Sequence, residues 1–300
     1  MKHVVSISLG SSRRNHKVVQ DFGGQPVTIE RLGTDGDKEK AIRLIKELDG
    51  HVDAFGLGGT DLYIYAGGHR YTFLESKRIV AAARTTPIVD GSGLKNTLER
   101  RVVDYLVKQQ GFLFENRPVL MVCAVDRFGL AEALVGVKSK VVFGDLLFGL
   151  GVPLPIRTLS GLARLAQIVA PVVTKLPVRF FYPTGDKQVN NTPRFSNYFH
   201  QAEVIAGDFH FIRRYMPPSL AGKTLITNTV TAEDQMLLKE RGVAALVTTT
   251  PDMGGRSFGT NVLEAVLIAL AGPESRPLTP LAYEALLDQL KIYPRITRFS

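Results

Sequence analysis

The chain of 300 residues is 45% hydrophobic and 22% charged, enough apolar content for a sizeable core and too balanced a composition for disorder. Its 37 basic against 28 acidic residues give a formal charge of +9, but Arg13-Arg14, Arg100-Arg101 and Arg213-Arg214 are scattered and not interleaved with aromatics, which favours small anionic ligands over nucleic acid. The single cysteine, Cys123, excludes an internal disulfide, the longest apolar stretches fall short of a membrane span of about 20 residues, and no apolar leader precedes the first strand pattern, so the expectation is a cytoplasmic protein without membrane contact.

Residues 2–10, KHVVSISLG, alternate like a half-buried strand that turns sharply at Ser11-Ser12-Arg13-Arg14, and Gly23-Gly24 makes a second turn, which reads as a short meander. Asp37 is placed to cap a helix whose Ala41, Ile42, Leu44, Ile45 and Leu48 share one face. Residues 51–57 return as a strand into Gly58-Gly59-Thr60-Asp61, and residues 62–65 and 71–74 form a hairpin about Ala66-Gly67-Gly68. A helix over 77–84, a strand over 87–89 and a helix from Leu94 to about Gln109 complete a smaller α+β unit, residues 1–115.

After Gln110-Gly111 the pattern changes. Residues 119–125 form a short apolar run suited to a strand buried on both faces, Leu130, Ala131, Ala133, Leu134 and Val137 recur at helical spacing, and residues 141–143 form a second apolar run ending at Gly144-Asp145. This is one βαβ unit. Further strand candidates begin at Val178, Val204, Thr224 and Ala244, each followed by a helical or mixed segment. The fold class expected is therefore α/β: a Rossmann-like, doubly wound parallel sheet over residues 116–300, with a C-terminal helix, preceded by the smaller α+β domain.

Five stretches offer chemistry. At Asp126-Arg127-Phe128-Gly129, backbone N–H groups at a helix start could hold a phosphate with Arg127 adding charge, although a simple helix cap by Asp126 explains the same residues. Asp145, at the end of the second strand, could take ribose hydroxyls and would favour NAD over NADP, or could be an ordinary turn acid. In Asp90-Gly91-Ser92-Gly93-Leu94-Lys95-Asn96-Thr97, the glycines permit close approach, Ser92, Asn96 and Thr97 offer hydroxyl and amide groups, and Lys95 could hold a hydroxyl or move a proton; a glycine-rich turn with a solvated lysine is the alternative. Residues 248–261, with Thr249, Gly254 and Arg256, follow the last strand candidate and suit an anion or a mobile loop, and residues 182–188, with Lys187, follow the strand candidate at Val178. The turns at residues 9–14 and 58–61 use residues that hairpins commonly use, and that plainer reading is preferred for them. No histidine has metal-ligand spacing, so no metal is expected.

Gly56-Leu57-Gly58-Gly59-Thr60-Asp61-Leu62, the run from Val89 to Arg100 and Val142-Phe143-Gly144-Asp145 resemble stretches of bacterial proteins of the quinate and shikimate 5-dehydrogenase group, and the resemblance spans most of the chain. It implies a substrate domain followed by a nucleotide domain, with a lysine and an aspartate at the reacting hydroxyl. Lys95 would be that lysine, and Asp126 or Asp90 that aspartate.

The function expected is oxidation or reduction of a small polyhydroxy acid such as quinate or shikimate by an NAD- or NADP-dependent enzyme. Its catalytic candidates are Lys95, Asp126 and Asp90. Ser92, Asn96, Thr97, Lys187 and Arg256 are assigned to the substrate, and Arg127, Phe128, Gly129, Asp145, Thr249 and Gly254 to the cofactor. The partner is a small anionic or polyhydroxy molecule, and a homodimer is compatible with the sequence. The rival readings are a non-redox Rossmann-like enzyme acting on a phosphorylated or nucleotide substrate, and a ligand sensor or nucleic-acid-associated protein.

Overall fold

Burial along β1 (Lys2–Ser8) is continuous from Val4 onward, as in a strand covered on both faces. The half-buried meander expected here is therefore corrected: β1 is a central strand, with β3 (Gln25–Gly33) and β4 (Ala54–Gly58) parallel to it on either side. The structure, a computed structural model, describes residues 1–66, 68–176, 191–254, 257–272 and 278–299, residue 66 by its backbone. The strand candidate at Val178, the loop carrying Lys187, and Arg256 lie outside the described residues.

The first sheet has the order β2-β3-β1-β4-β7, with β2 (His16–Phe22) antiparallel to β3 and β7 (Ile88–Val89) parallel to β4. The second expected hairpin is present as β5 (Tyr63–Ala66) and β6 (His69–Thr72). Alternate residues of β1 feed opposite layers. Val5 and Ile7 meet α1 (Lys38–Leu48) and α2 (Leu74–Val80) through Ile45 and Ile79. The Asp37 carboxylate caps α1 as expected, accepting from the Lys40 N–H at 2.9 Å.

The helix α3 (Ser92–Lys108) joins the two halves. Leu94 and Leu98 in its first turns belong to the core of the first sheet, whereas Val102, Val103 and Leu106 belong to the core of the second. The second sheet follows, with β8 (Pro118–Met121), α4 (Phe128–Gly136) and β9 (Lys140–Phe143) as the expected βαβ unit, β8 and β9 pairing in parallel. Then come α5 (Leu159–Val173), α6 (Ser196–Gln201), β10 (Val204–Ala206), α7 (Phe209–Tyr215), β11 (Thr224–Thr227), α8 (Ala232–Glu240) and β12 (Ala245–Thr248). The strand order is β13-β12-β11-β10-β8-β9, parallel except for β13 (Arg295–Arg298). The α6, α7 and α8 helices cover one face, while α4, α5 and the end of α3 cover the other. The protein is thus α/β with parallel sheets, in the Rossmann-like manner.

One expectation about domain organisation is corrected. After β12 the chain crosses back, and α9 (Thr260–Ala271) lays Val262, Leu263, Val266 and Leu267 against Val4, Val27 and Ala54 of the first sheet. Then α10 (Pro280–Gln289) adds Tyr283 and Leu287 to the same core before β13 returns to the second sheet. Each such side chain contributes about 1.5–3 kcal/mol on burial. A boundary at residue 115 would strip the first sheet of one covering layer.

Candidate functional site

In parallel sheets, the turns beyond the carboxyl ends of the strands are where ligands gather. Here both sheets contribute to one cleft. The first sheet supplies Ser8 at the end of β1, Gly58 to Asp61 after β4 and Asp90 after β7, while the second supplies Asp126 after β8, Asp208 after β10 and Thr229 after β11. Lys95 enters from α3, and the cavity measures about 120 Å3.

The Lys95 side chain lies at the centre, in a residue 7% exposed. Its Nζ donates to Asp61 Oδ1 at 2.9 Å and stands 3.8 Å from Asp126 Oδ2. Burial works against the ammonium charge, but the carboxylates of Asp61 and Asp126 outweigh it and hold the Lys95 pKa above its ordinary value. Burial pushes the Asp126 carboxyl up, against the pull of Lys95 and Arg127. Asp126 Oδ1 is buried and accepts no hydrogen bond among the described residues. An acceptor left without a donor in the interior costs on the order of 1–3 kcal/mol.

The wall opposite is tied across the two sheets. Arg14, from the turn after β1, donates to the Thr229 carbonyl at 3.0 Å and to Asp234 Oδ2 at 3.3 Å. Thr229 has φ 42°, in the left-handed region that a β-branched residue rarely takes. Such backbone persists where its surroundings enforce it, commonly at ligand sites. Asn261 Nδ2 donates to Ser6 Oγ at 2.9 Å and so fixes the start of α9 beside β1.

The predicted residues sort into four groups. Lys95 and Asp126 come together as expected. Asp90 lines the cleft but is not free to react: its carboxylate accepts from the Leu62 N–H, from the Ser92 N–H at 3.2 Å and from Ser92 Oγ at 2.5 Å, so it anchors the start of α3. Burial and the nearby Asp61 push its carboxyl up. Ser92, Asn96 and Thr97 do not join Lys95. Successive helical residues are about 100° apart, so α3 presents Lys95 and Glu99 on one face and Ser92, Asn96 and Arg100 on another. The latter line a second cavity of about 430 Å3, with Tyr63, Tyr65, Phe128 and Gly129.

The cofactor assignments at the β8–α4 turn are corrected on physical grounds. Asp145 Oδ1 accepts from the Ala124 and Val125 N–H groups, both at 2.9 Å, so it occupies the donors a phosphate would need. Burial pushes its carboxyl up to about 6, against those hydrogen bonds. Arg127 is 3% exposed and is paired with Glu99 and, at 3.2 Å, with Asp208. Gly129 serves helix packing, since a Cβ there would lie 2.9 Å from the Asn96 Cα and carbonyl oxygen. Thr249 and Gly254 line neither cavity. Thr249 is buried beside β11, to whose Thr227 carbonyl its N–H donates, and Gly254 packs against Val18 of β2. From the same segment, Phe258 to Val262 reach the cleft instead.

Asp61 is the functional residue that sequence reasoning missed. Its turn was assigned to a hairpin, yet it follows a parallel strand. Gly59, at φ 74°, comes so close to the Gly10 N–H that a Cβ would be 2.9 Å away, which brings the turns after β4 and β1 together at the cleft. Among the described residues, no three His, Cys, Asp or Glu side chains are grouped as a metal ion would require, and no helix is long and apolar enough to cross a membrane.

These features define a two-lobed α/β protein with a polar cleft between the carboxyl ends of two largely parallel sheets. Residues 93–299 match the family described as Domain of unknown function (DUF8754), and the chain belongs to that family; residues 3–90 match Domain of unknown function (DUF8753). No curated protein matches the chain. Among solved structures, a galactofuranose binding protein is similar at 13% identity, covering 97% of this chain and 99% of its own, with a TM-score of 0.36. An NAD-dependent malic enzyme from Thermotoga maritima is similar at 13% identity over 97% of this chain and 84% of its own, with a TM-score of 0.35. The N5,N10-methylenetetrahydrofolate dehydrogenase-cyclohydrolase of Trypanosoma brucei, solved with NADP and an inhibitor, gives 10% identity over 97% and 86%, with a TM-score of 0.33.

Proposed function

We propose that the cleft binds a small polyhydroxy compound, of the size and hydroxyl content of quinate or shikimate, and that Lys95 and Asp126 act on one of its hydroxyls. The observation that carries this reading is the buried Lys95 ammonium between Asp61 and Asp126, with one Asp126 oxygen left without a donor. Carboxylates accept from ligand hydroxyls and the ammonium donates to them, so a ligand lacking those groups leaves buried polar atoms unpaired and is rejected.

Lys95 stays charged and is therefore no base. It stabilises negative charge building on the ligand oxygen. Asp126, its carboxyl pushed up by burial, accepts the hydroxyl proton. Oxidation of that hydroxyl, the reaction the sequence resemblance implies, also needs a hydride acceptor. The β8–α4 turn does not fit a dinucleotide, because Asp145 holds its N–H groups and Arg127 is locked into buried ion pairs. The residues of the cleft account for binding and proton transfer alone.

Isothermal titration with quinate, shikimate and inositol tests the proposal. Saturable binding of at least one is expected, weakened about tenfold or more in Asp126→Asn, the equivalent of some 1.4 kcal/mol. Absence of binding by all three at millimolar concentration would overturn it.

A further inference from the structure

The face of α3 that turns away from Lys95 lines a cavity of about 430 Å3, far larger than the Lys95 cleft and separate from it. Its wall is built at helical spacing: Ser92, Asn96 and Arg100 lie four residues apart, with Gly93 and Thr97 beside them. Opposite stand Tyr63 and Tyr65 of the hairpin and Phe128 at the start of α4. The tyrosine rings meet edge to face, with centroids 5.4 Å apart.

Two polar groups in this wall remain unengaged among the described residues. Thr97 is 6% exposed and its hydroxyl makes no hydrogen bond, while Asn96 uses only its Oδ1, which accepts from the Gly129 N–H at 3.1 Å, and leaves its amide NH2 without an acceptor. A hydroxyl and an amide donor beside three aromatic rings match a flat ring that carries donors and acceptors on its edge. Two arginines stand near, Arg70 over the Tyr63 ring at 4.0 Å and Arg100 paired with Glu132. They favour a ligand whose polar tail is anionic.

We propose that this second cavity binds the nucleobase of a nucleoside or nucleotide, stacked on the aromatic wall and hydrogen-bonded at its edge by Asn96 and Thr97. Aromatic stacking accepts any base face, and the edge contacts choose among bases. The site is independent of the polyhydroxy ligand in the Lys95 cleft, because α3 stands between the two.

Isothermal titration with adenosine, guanosine, uridine and AMP as probes tests the proposal. At least one should bind saturably. Tyr65→Ala and the near-isosteric Thr97→Val should each weaken binding about tenfold. AMP binding more tightly than adenosine identifies a nucleotide site, and equal affinities a nucleoside site. Because Tyr65 is 42% exposed, its substitution serves even where Thr97→Val fails to fold. No binding of any probe at millimolar concentration, or affinities untouched by both variants, would overturn the proposal. Loss of quinate and shikimate binding alone would leave it standing.

Discussion

Lys95 and Asp126 carry opposite stability consequences although they share one site. Removing Lys95 takes the ammonium from between Asp61 and Asp126 and leaves Asp126 to Arg127, whose Nε is 3.9 Å away, and breaking a buried pair from one side costs on the order of 3–5 kcal/mol. Lys95→Met should lose about that much in urea unfolding. Asp126 has an oxygen without a donor and sits 3.8 Å from its nearest cation, so Asp126→Asn should change stability by less than about 1 kcal/mol, or raise it, while ligand binding falls. A loss above about 2 kcal/mol in Asp126→Asn would show that the carboxylate serves the fold. Lys95 was legible in the sequence because a lysine among glycines and hydroxyls at a helix start is unusual company. Asp61, its nearest partner, was not, because a Gly-Gly-Thr-Asp turn looks the same after a hairpin strand as after a parallel one.

Helix α3 shows what one element contributes beyond its residues. It meets α4 so closely at Gly129 that a Cβ would strike the Asn96 backbone, whereas Gly136 near the other end of α4 has open space around it. Gly129→Ala should cost about 1–3 kcal/mol, and Gly136→Ala should stabilise by up to about 1 kcal/mol; melting temperatures of the pair separate crowding from helix propensity. The start of α3 is also clamped by α9: Glu264 accepts from the Gly91 N–H at 2.7 Å and from Tyr283 Oη at 2.6 Å. Burial, reinforced by Asp90, pushes the Glu264 carboxyl up to about 8. The folded state therefore keeps a proton that the unfolded chain releases near pH 4–5, and the stability this contributes is lost as pH rises toward 8. Burial and Arg14 hold His210 down to about 4, so its effect has the opposite sign and is confined below about pH 6.5. Between about pH 6.5 and 8 the fall should be visible in urea midpoints and flattened in Glu264→Gln; equal slopes in both proteins would contradict this. The βαβ unit around α4 was legible from its two apolar runs and helical spacing. The role of Asp145 was not, because the N–H groups it holds are brought to it only by the folded turn.

At the scale of the whole molecule, the chain visits the first sheet, the second, the first again and finally the second through β13. The α/β class was legible in the alternation of strand and helix patterns. The return of α9 was not, since neighbouring elements usually pack together and nothing in its apolar face says which sheet it will cover. Because Val262, Leu263 and Val266 lie in the core of the first sheet, residues 1–115 alone should be largely unfolded by circular dichroism, and a native-like melting transition in that fragment would refute this packing. The crossings also place the cleft between the sheets, so one ligand must touch both. Amide chemical-shift mapping with shikimate or quinate tests that most directly. The prediction is a set of shifts that includes Ser8, Gly59 and Asp61 on one side and Asp126 and Thr229 on the other, absent in Asp126→Asn. Shifts confined to one sheet, or centred on Tyr65 and Thr97, would contradict it.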